Sequence, residues 1–224
     1  MPAFGRRIEF DERSREYQIR ALLSVKQVSK PRSYTWRNPI RLDQGNEGSC
    51  VGHAWAHEAA AKPVMVPGIT HHTALSIYRR AQILDEYSDT PPEEGSSVLA
   101  GAKASQECHY LGEYRWAFGL EDLILAVGYK GPAVLGINWY EDMMDVDKRG
   151  YVWASGEILG GHAILCNRVN IKDRFFGLSN SWGESWGTHD AWGIGGTCRV
   201  SFVEMEHLLA EDGEACIPIK RTLS

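Results

Sequence analysis

The feature that most limits what this chain can become is a change of hydrophobic period partway along it. In the first part, apolar residues recur at helical spacing: Val51, Ala54, Trp55 and Ala59, then Ala74, Ile77, Tyr78, Ala81 and Leu84. Leu120, Leu123, Ile124 and Val127 continue the pattern. Residues three and four apart share one helix face, so each set predicts an amphipathic helix with a buried stripe. Helices are expected from Cys50 to about Ala61, over 74–84, over 120–127, and from Ser97 to Cys108 after the Pro91-Pro92 break. Strand-like runs then dominate: Ala133 to Trp139, His162 to Asn170, Phe175 to Ser181 and Trp192 to Phe202. A last short helix should open at Ser201-Phe202-Val203-Glu204, which has capping-box spacing. Helices first and strands second predict an α+β fold with a helical lobe and a sheet-rich lobe.

The expected division is an N-terminal arm over residues 1–35, a helical lobe over 36–112 and a sheet-rich lobe over 113–224. The arm is charged, weakly patterned and broken by Ser29-Lys30-Pro31-Arg32-Ser33, which predicts a segment packed on the surface. A hydrophobic share of 43% and a charged share of 24% exclude a disordered or fibrous chain. The net charge of −5 argues against a nucleic-acid or acidic-membrane binder, which would need a basic field. No apolar run is long enough to span a bilayer, and Met1 to Arg20 lacks the apolar core of a secretory signal. Residence in the cytoplasm is the expectation. Cys50, Cys108, Cys166, Cys198 and Cys216 are odd in number and form no Cys-x-x-Cys pair, so free thiols are expected rather than a zinc or redox site.

One cysteine stands apart. Cys50 ends the loop Leu42-Asp43-Gln44-Gly45-Asn46-Glu47-Gly48-Ser49 and opens a helix. There its sulfur meets unsatisfied amide N–H groups and the positive end of the helix dipole, a setting that favours the reactive thiolate. Gln44 offers an amide donor for an oxyanion across that loop. His162, after Gly160-Gly161 and before Ala163-Ile164-Leu165, can bring an imidazole to a strand end. Asn180 can orient such a ring, and Trp182 can keep water from their contact. Each feature also has a plainer reading: a structural thiol, a polar loop residue, a half-buried histidine, a turn.

Together these stretches resemble the papain family of cysteine peptidases, which uses the order Gln, Cys, His, Asn. The matching residues are Gln44-Gly45, Gly48-Ser49-Cys50, Gly161-His162-Ala163, Asn180-Ser181-Trp182-Gly183 and Trp186-Gly187, with Trp36-Arg37 ahead of them. The resemblance covers roughly residues 34–210. It implies a two-lobed fold with the active site in the cleft between the lobes. It also implies Cys50 as nucleophile, His162 as acid and base, Asn180 as orienter and Gln44 in the oxyanion hole. Trp182, Ser49 and Gly161 would support them; Glu94, Gly95 and Ala163 would line a substrate pocket. The implied substrate is a peptide or protein, and no metal or organic cofactor is needed.

The sequence departs from the family pattern in places. Glu47 stands where many members carry a disulfide cysteine, and Val51 where a tryptophan usually follows the nucleophile. Only 43 residues precede Gln44, too few for the long inhibitory propeptide of many relatives, though this arm is long enough to cross the cleft. Glu93-Glu94-Gly95 falls near the family's specificity pocket, where acidic residues would favour basic side chains or would simply form a solvated turn. His53 and His57, one and two turns after Cys50, are expected as buried core histidines, and His71-His72 as no metal site. The same thioester chemistry would also serve a transamidase or deamidase, and a silent papain-like binding module is a third expectation. Neither the bond cut nor the oligomeric state is legible.

Overall fold

A computed structural model describes residues 3–85 and 94–219; the Pro91-Pro92 break and Glu93 lie outside them. Strand β1 (Arg6–Arg7), 3-10 turns at Glu12–Glu16 and Ile19–Leu22, the single-turn helix α1 (Val25–Val28) and strand β2 (Tyr34–Thr35) precede the first long helix. Then come α2 (Cys50–Ala60), α3 (His71–Leu84), β3 (Ser96–Ser97) and α4 (Val98–Glu107). After these follow β4 (Glu113–Trp116), α5 (Leu120–Tyr129), β5 (Ala133–Tyr140), β6 (Ile158–Asn170), β7 (Phe175–Ser179), β8 (Thr197–Ser201), α6 (Phe202–Ala210) and β9 (Glu214–Ile219). The architecture is α+β, as the change of period predicts.

Helix α2 is buried along its whole length. Its small residues make that possible: a Cβ on Gly52 would sit 2.3 Å from the Ala74 carbonyl oxygen, so α3 can approach only over a glycine. Trp55 fills the space between α2 and α4 and donates its indole N–H to Val98 O at 3.2 Å. Val51 packs into the same helical core, beside Gly101, rather than forming an aromatic wall at the cleft. Thr70 caps α3, and Ser97 caps α4 by accepting from Ala100 N at 3.0 Å.

The larger sheet runs in the order β4-β9-β5-β6-β7-β8, with β2 added to the outer part of β6. Its pairings are antiparallel. Alternation along β6 separates the two cores: Ala163 and Leu165 face the helices, whereas Ile164 and Cys166 face the sheet's own core with Leu135, Ile137, Phe176 and Leu178. His162 lies inside β6, which begins at Ile158 and not at the histidine as expected. It stands on the sheet-core side, opposite Ile137, while the N–H of its neighbour Ala163 faces Cys50 at the start of α2. That placement joins the two lobes at one residue.

Three expectations need correction. The run from Trp192 to Phe202 is a strand only over Thr197–Ser201; Gly193 and Gly196 take positive φ of 81° and 73° in the loop before it, and Phe202 begins α6. Ser201 caps α6 through Glu204 N, but the Glu204 carboxylate accepts from Ala154 N at 2.8 Å instead of closing a capping box. Finally, the arm is not confined to the surface. Residues 3–6 lie in the cleft, where β1 pairs parallel with β3 and both Gly5 and Arg6 are buried. Among the described residues no helix is long and apolar enough to cross a membrane.

Candidate active site

Cys50 is fully buried as the first residue of α2. Its sulfur accepts from Ala163 N, the residue after His162 in β6, at 3.4 Å. The His162 ring is also fully buried. Its Nε2 meets Asn180 Oδ1 at 2.8 Å, and Nδ1 has no hydrogen-bond partner despite burial. A neutral ring that donates from Nε2 to Asn180 keeps an acceptor lone pair on Nδ1, the tautomer a general base requires. Aromatic rings enclose the imidazole: Trp139 at 4.8 Å edge-on, Trp182 at 5.1 Å and Phe4 at 6.0 Å between centroids. They exclude water from the His162–Asn180 bond and so strengthen it.

Gln44 stands at the same cleft. Its Nε2 donates to Ala3 O and to Glu47 O, both at 2.9 Å, and its Oε1 accepts from Ser181 Oγ at 2.7 Å. Ser181 therefore fixes which way the glutamine amide points. The same residue donates its backbone N–H to Asn180 Oδ1 at 2.8 Å, tying the amide donor and the histidine partner into one network. Ser181→Ala should lower kcat about tenfold with little change in KM, because the Gln44 amide loses the bond that sets its orientation. Steady-state kinetics of that variant provide the check; an unchanged kcat would show that Gln44 is held by other contacts.

The structure thus brings Gln44, Cys50, His162 and Asn180 to one place, with Trp182 over the ring. Ser49 is buried at the N-cap of α2, its hydroxyl 3.2 Å from His53 Nδ1. Gly95, at φ +103°, and Gly161 line the cleft where a peptide backbone passes, while Glu94 is exposed at its rim. His53 turns away and pairs with His71 at 3.1 Å, and His57 Nε2 accepts from Leu42 N at 2.9 Å. Both serve the helical core.

The cleft is filled by the chain's own N-terminal segment. Ala3 places its carbonyl on Gln44 Nε2, Phe4 packs on His162 and Trp182, and Gly5 O accepts from Ser96 N at 2.8 Å. Glycines make room for it. A Cβ on Gly160 would meet Phe4 at 2.8 Å, one on Gly95 the Gly5 oxygen at 2.5 Å, and one on Gly161 the Arg6 oxygen at 2.3 Å. Under this cover, burial pushes the Cys50 thiol up from its ordinary value, although the N–H groups of Ala163, Gly5, Val51 and Cys50 favour the thiolate. Burial also pushes His162 down to about 4 against the pull of Asn180. With the arm seated, burial favours the neutral thiol and the neutral imidazole.

Sequence reasoning passed over Trp139, Ser181's bridging role, Phe4 and Glu214. Trp139 ends an apolar strand and reads like any core aromatic. Glu214 carried a faint signal, as the acid of the Glu211-Asp212-Gly213-Glu214 stretch that adjoins the apolar run Ala215-Cys216-Ile217.

A helical lobe, a sheet-rich lobe and a Cys–His–Asn cluster at their junction make up the papain-like arrangement, and comparison with known proteins finds similarity in the same direction. No family model matches the chain. A cathepsin B-like cysteine proteinase of Caenorhabditis elegans is 26% identical over 148 residues, covering 63% of this chain and 38% of that protein. An uncharacterised peptidase C1-like protein of Acanthamoeba polyphaga mimivirus is 23% identical over 191 residues, covering 65% and 61%. The chain therefore spans less than two thirds of each of these relatives. Xylellain, a cysteine protease from Xylella fastidiosa, superposes with a TM-score of 0.72 at 15% identity over 98% of this chain and 96% of that one. The chain is thus similar in sequence to cathepsin B-like and peptidase C1-like proteins and shares the fold of a papain-like cysteine protease.

Proposed function

We propose that the protein is a cysteine peptidase held latent by its own N-terminal residues. The observation that carries this reading is the burial of Cys50 and His162 in one cleft, the sulfur on the N–H of Ala163 next to the histidine, with His162 Nε2 bound to Asn180 and Nδ1 left without a partner. Once the arm leaves and water re-enters, the desolvation that keeps both groups neutral falls, and the proton passes from Cys50 to His162. The thiolate adds to a peptide carbonyl, whose oxygen is received by Gln44 Nε2 and the Cys50 N–H. His162 gives its proton to the departing amine, leaving a thioester, and then takes one from the water that releases the acid. The arm supports the same reading by its position, since an extended peptide already places a carbonyl on Gln44. What it aims at the sulfur is the Gly5 N–H, which is not an electrophile. The five free cysteines favour a reducing, cytoplasmic setting for this chemistry.

Cleavage of a denatured protein, followed by mass spectrometry, tests the reading. New peptide termini should form with the wild-type chain and none with Cys50→Ala; products carrying an added amine would instead mean acyl transfer. Titration gives a further prediction. In the full-length chain, alkylation of Cys50 should stay slow at neutral pH and rise above pH 9, because the seated arm raises the thiol. A plateau already reached near pH 6 would contradict the neutral closed pair.

A further inference from the structure

The arm is fastened to the body at two places. In the cleft, Arg6 Nε donates to Glu214 Oε1 at 3.1 Å, with the arginine side chain 1% exposed. Farther along, Arg20 Nε donates to Asp122 Oδ1 at 2.7 Å, in the first turn of α5. Beside this second attachment the arm closes over a cavity of about 340 Å³ that shares no residue with the catalytic cleft. Most of its wall is apolar. Val28 and Pro31 come from the arm, Leu120 and Ile124 from α5, Ile171 from the turn after β6, and Phe202 from the start of α6. Leu120 and Ile124 are four apart and so share one face of α5. Both are only half-buried, as are Val28 and Ile171, so the arm leaves this part of the helix's apolar stripe incompletely covered.

Two arginines line the cavity, and they differ. Arg20 is taken by Asp122 and by Glu121, the one carboxylate of the lining. Arg174 makes no ion pair among the described residues. Its backbone sits at φ 54°, a conformation that glycine adopts at less cost. Phe202 holds it there twice: the Phe202 N–H donates to the Arg174 carbonyl at 3.0 Å, and the guanidinium lies 5.3 Å from the Phe202 ring centroid. The result is an uncommitted cation fixed at the edge of an apolar cavity. Such a site suits an amphiphile of opposite charge, whose tail covers the half-buried side chains while its carboxylate meets the planar guanidinium. We propose that the cavity binds a free fatty acid of medium chain length, with the carboxylate on Arg174 and the tail between the arm and α5. A volume at the low end of the usual range for ligand sites sets the medium length. Because the tail touches both arm and body, binding fastens the arm's second half, and the ligand stabilises the docked state it binds.

Calorimetric titration of the full-length chain with decanoate, below the concentration at which it forms micelles, is the test. Wild type should show one saturable site. Arg174→Gln should weaken it about thirtyfold, the loss expected for a charged hydrogen-bonded pair. Decanamide, with the same tail and no charge, should bind both proteins weakly and alike. Ile124→Trp fills the cavity and should abolish binding in a chain whose circular dichroism matches wild type. If that variant does not fold, trypsin gives a second readout: decanoate should slow cleavage after the exposed Lys26 severalfold in wild type but not in Arg174→Gln. None of Gln44, Cys50, His162 or Asn180 takes part, so Cys50→Ala should bind decanoate as wild type does, whatever becomes of the peptidase reading. Equal affinity of wild type and Arg174→Gln, or uptake of decanoate that never saturates, would mean adsorption of a detergent-like chain and overturns the proposal.

Discussion

Arg6→Ala should raise the rate at which iodoacetamide alkylates Cys50 about a hundredfold at pH 8. Removing the guanidinium leaves Glu214 recessed and without its partner whenever the arm is seated, and broken buried pairs cost about 3–5 kcal/mol. Glu214 can escape part of that cost by taking up a proton, so a value somewhat below this range, about 2.7 kcal/mol, applies; this is a hundredfold in the open population. The sign with pH follows from the same carboxyl. Its value in the closed state is about 7, raised by burial above its ordinary 4.5 despite Arg6 beside it. Above pH 7 it is ionised and needs Arg6; well below, it is neutral and needs Arg6 far less. The advantage of Arg6→Ala over wild type should therefore shrink toward a few-fold at pH 5.5. Equal rates at pH 8 in two folded proteins, checked by circular dichroism, would mean that the arm does not gate the thiol.

His162→Ala should lower kcat on a peptide substrate by roughly 10³–10⁴, the span over which a positioned acid–base group acts. It should also remove the low-pH limb of Cys50 alkylation in the arm-released chain, because without the imidazole no ion pair keeps the sulfur ionised below its own pKa. Asn180→Ala should cost less, about tenfold to a hundredfold, since Trp139 and Trp182 still confine the ring. Steady-state kinetics on the three proteins, with the alkylation profile beside them, give the comparison. A His162→Ala variant as active as Asn180→Ala would remove His162 from the proton path.

How much of this was legible depends on where the information lies along the chain. Helices α2, α3, α4 and α5 showed in the sequence because each buries a stripe at helical spacing, and that pattern is local. Strands β4 and β9 did not show. The first is the short, charged Glu113-Tyr114-Arg115-Trp116, and the second is held between β4 and β5 by pairings far apart in sequence. The glycine-rich loop before β8 hid its own turn, since Trp192 and Ile194 look like strand residues when φ is unknown. Gln44, Cys50, His162 and Asn180 could be proposed because each sits in a short motif whose residue types suit one step of acyl transfer. The arm's role was hidden for the opposite reason. Arg6 and Glu214 lie 208 positions apart, and nothing near either one says that they meet. Charge alone sent the arm to the surface; the cleft's glycines, scattered from Gly95 to Gly161, draw its backbone inside.

The central claim, that Cys50 is an activated nucleophile under a removable cover, is most directly tested by intact-mass analysis after exposure to an epoxysuccinyl thiol-protease inhibitor. The full-length Arg6→Ala chain should gain one adduct, mapped to Cys50 and absent from Arg6→Ala/Cys50→Ala, with slower labelling of the wild type. No adduct on Cys50, in folded protein whose exposed Cys108 reacts readily with iodoacetamide, would contradict it.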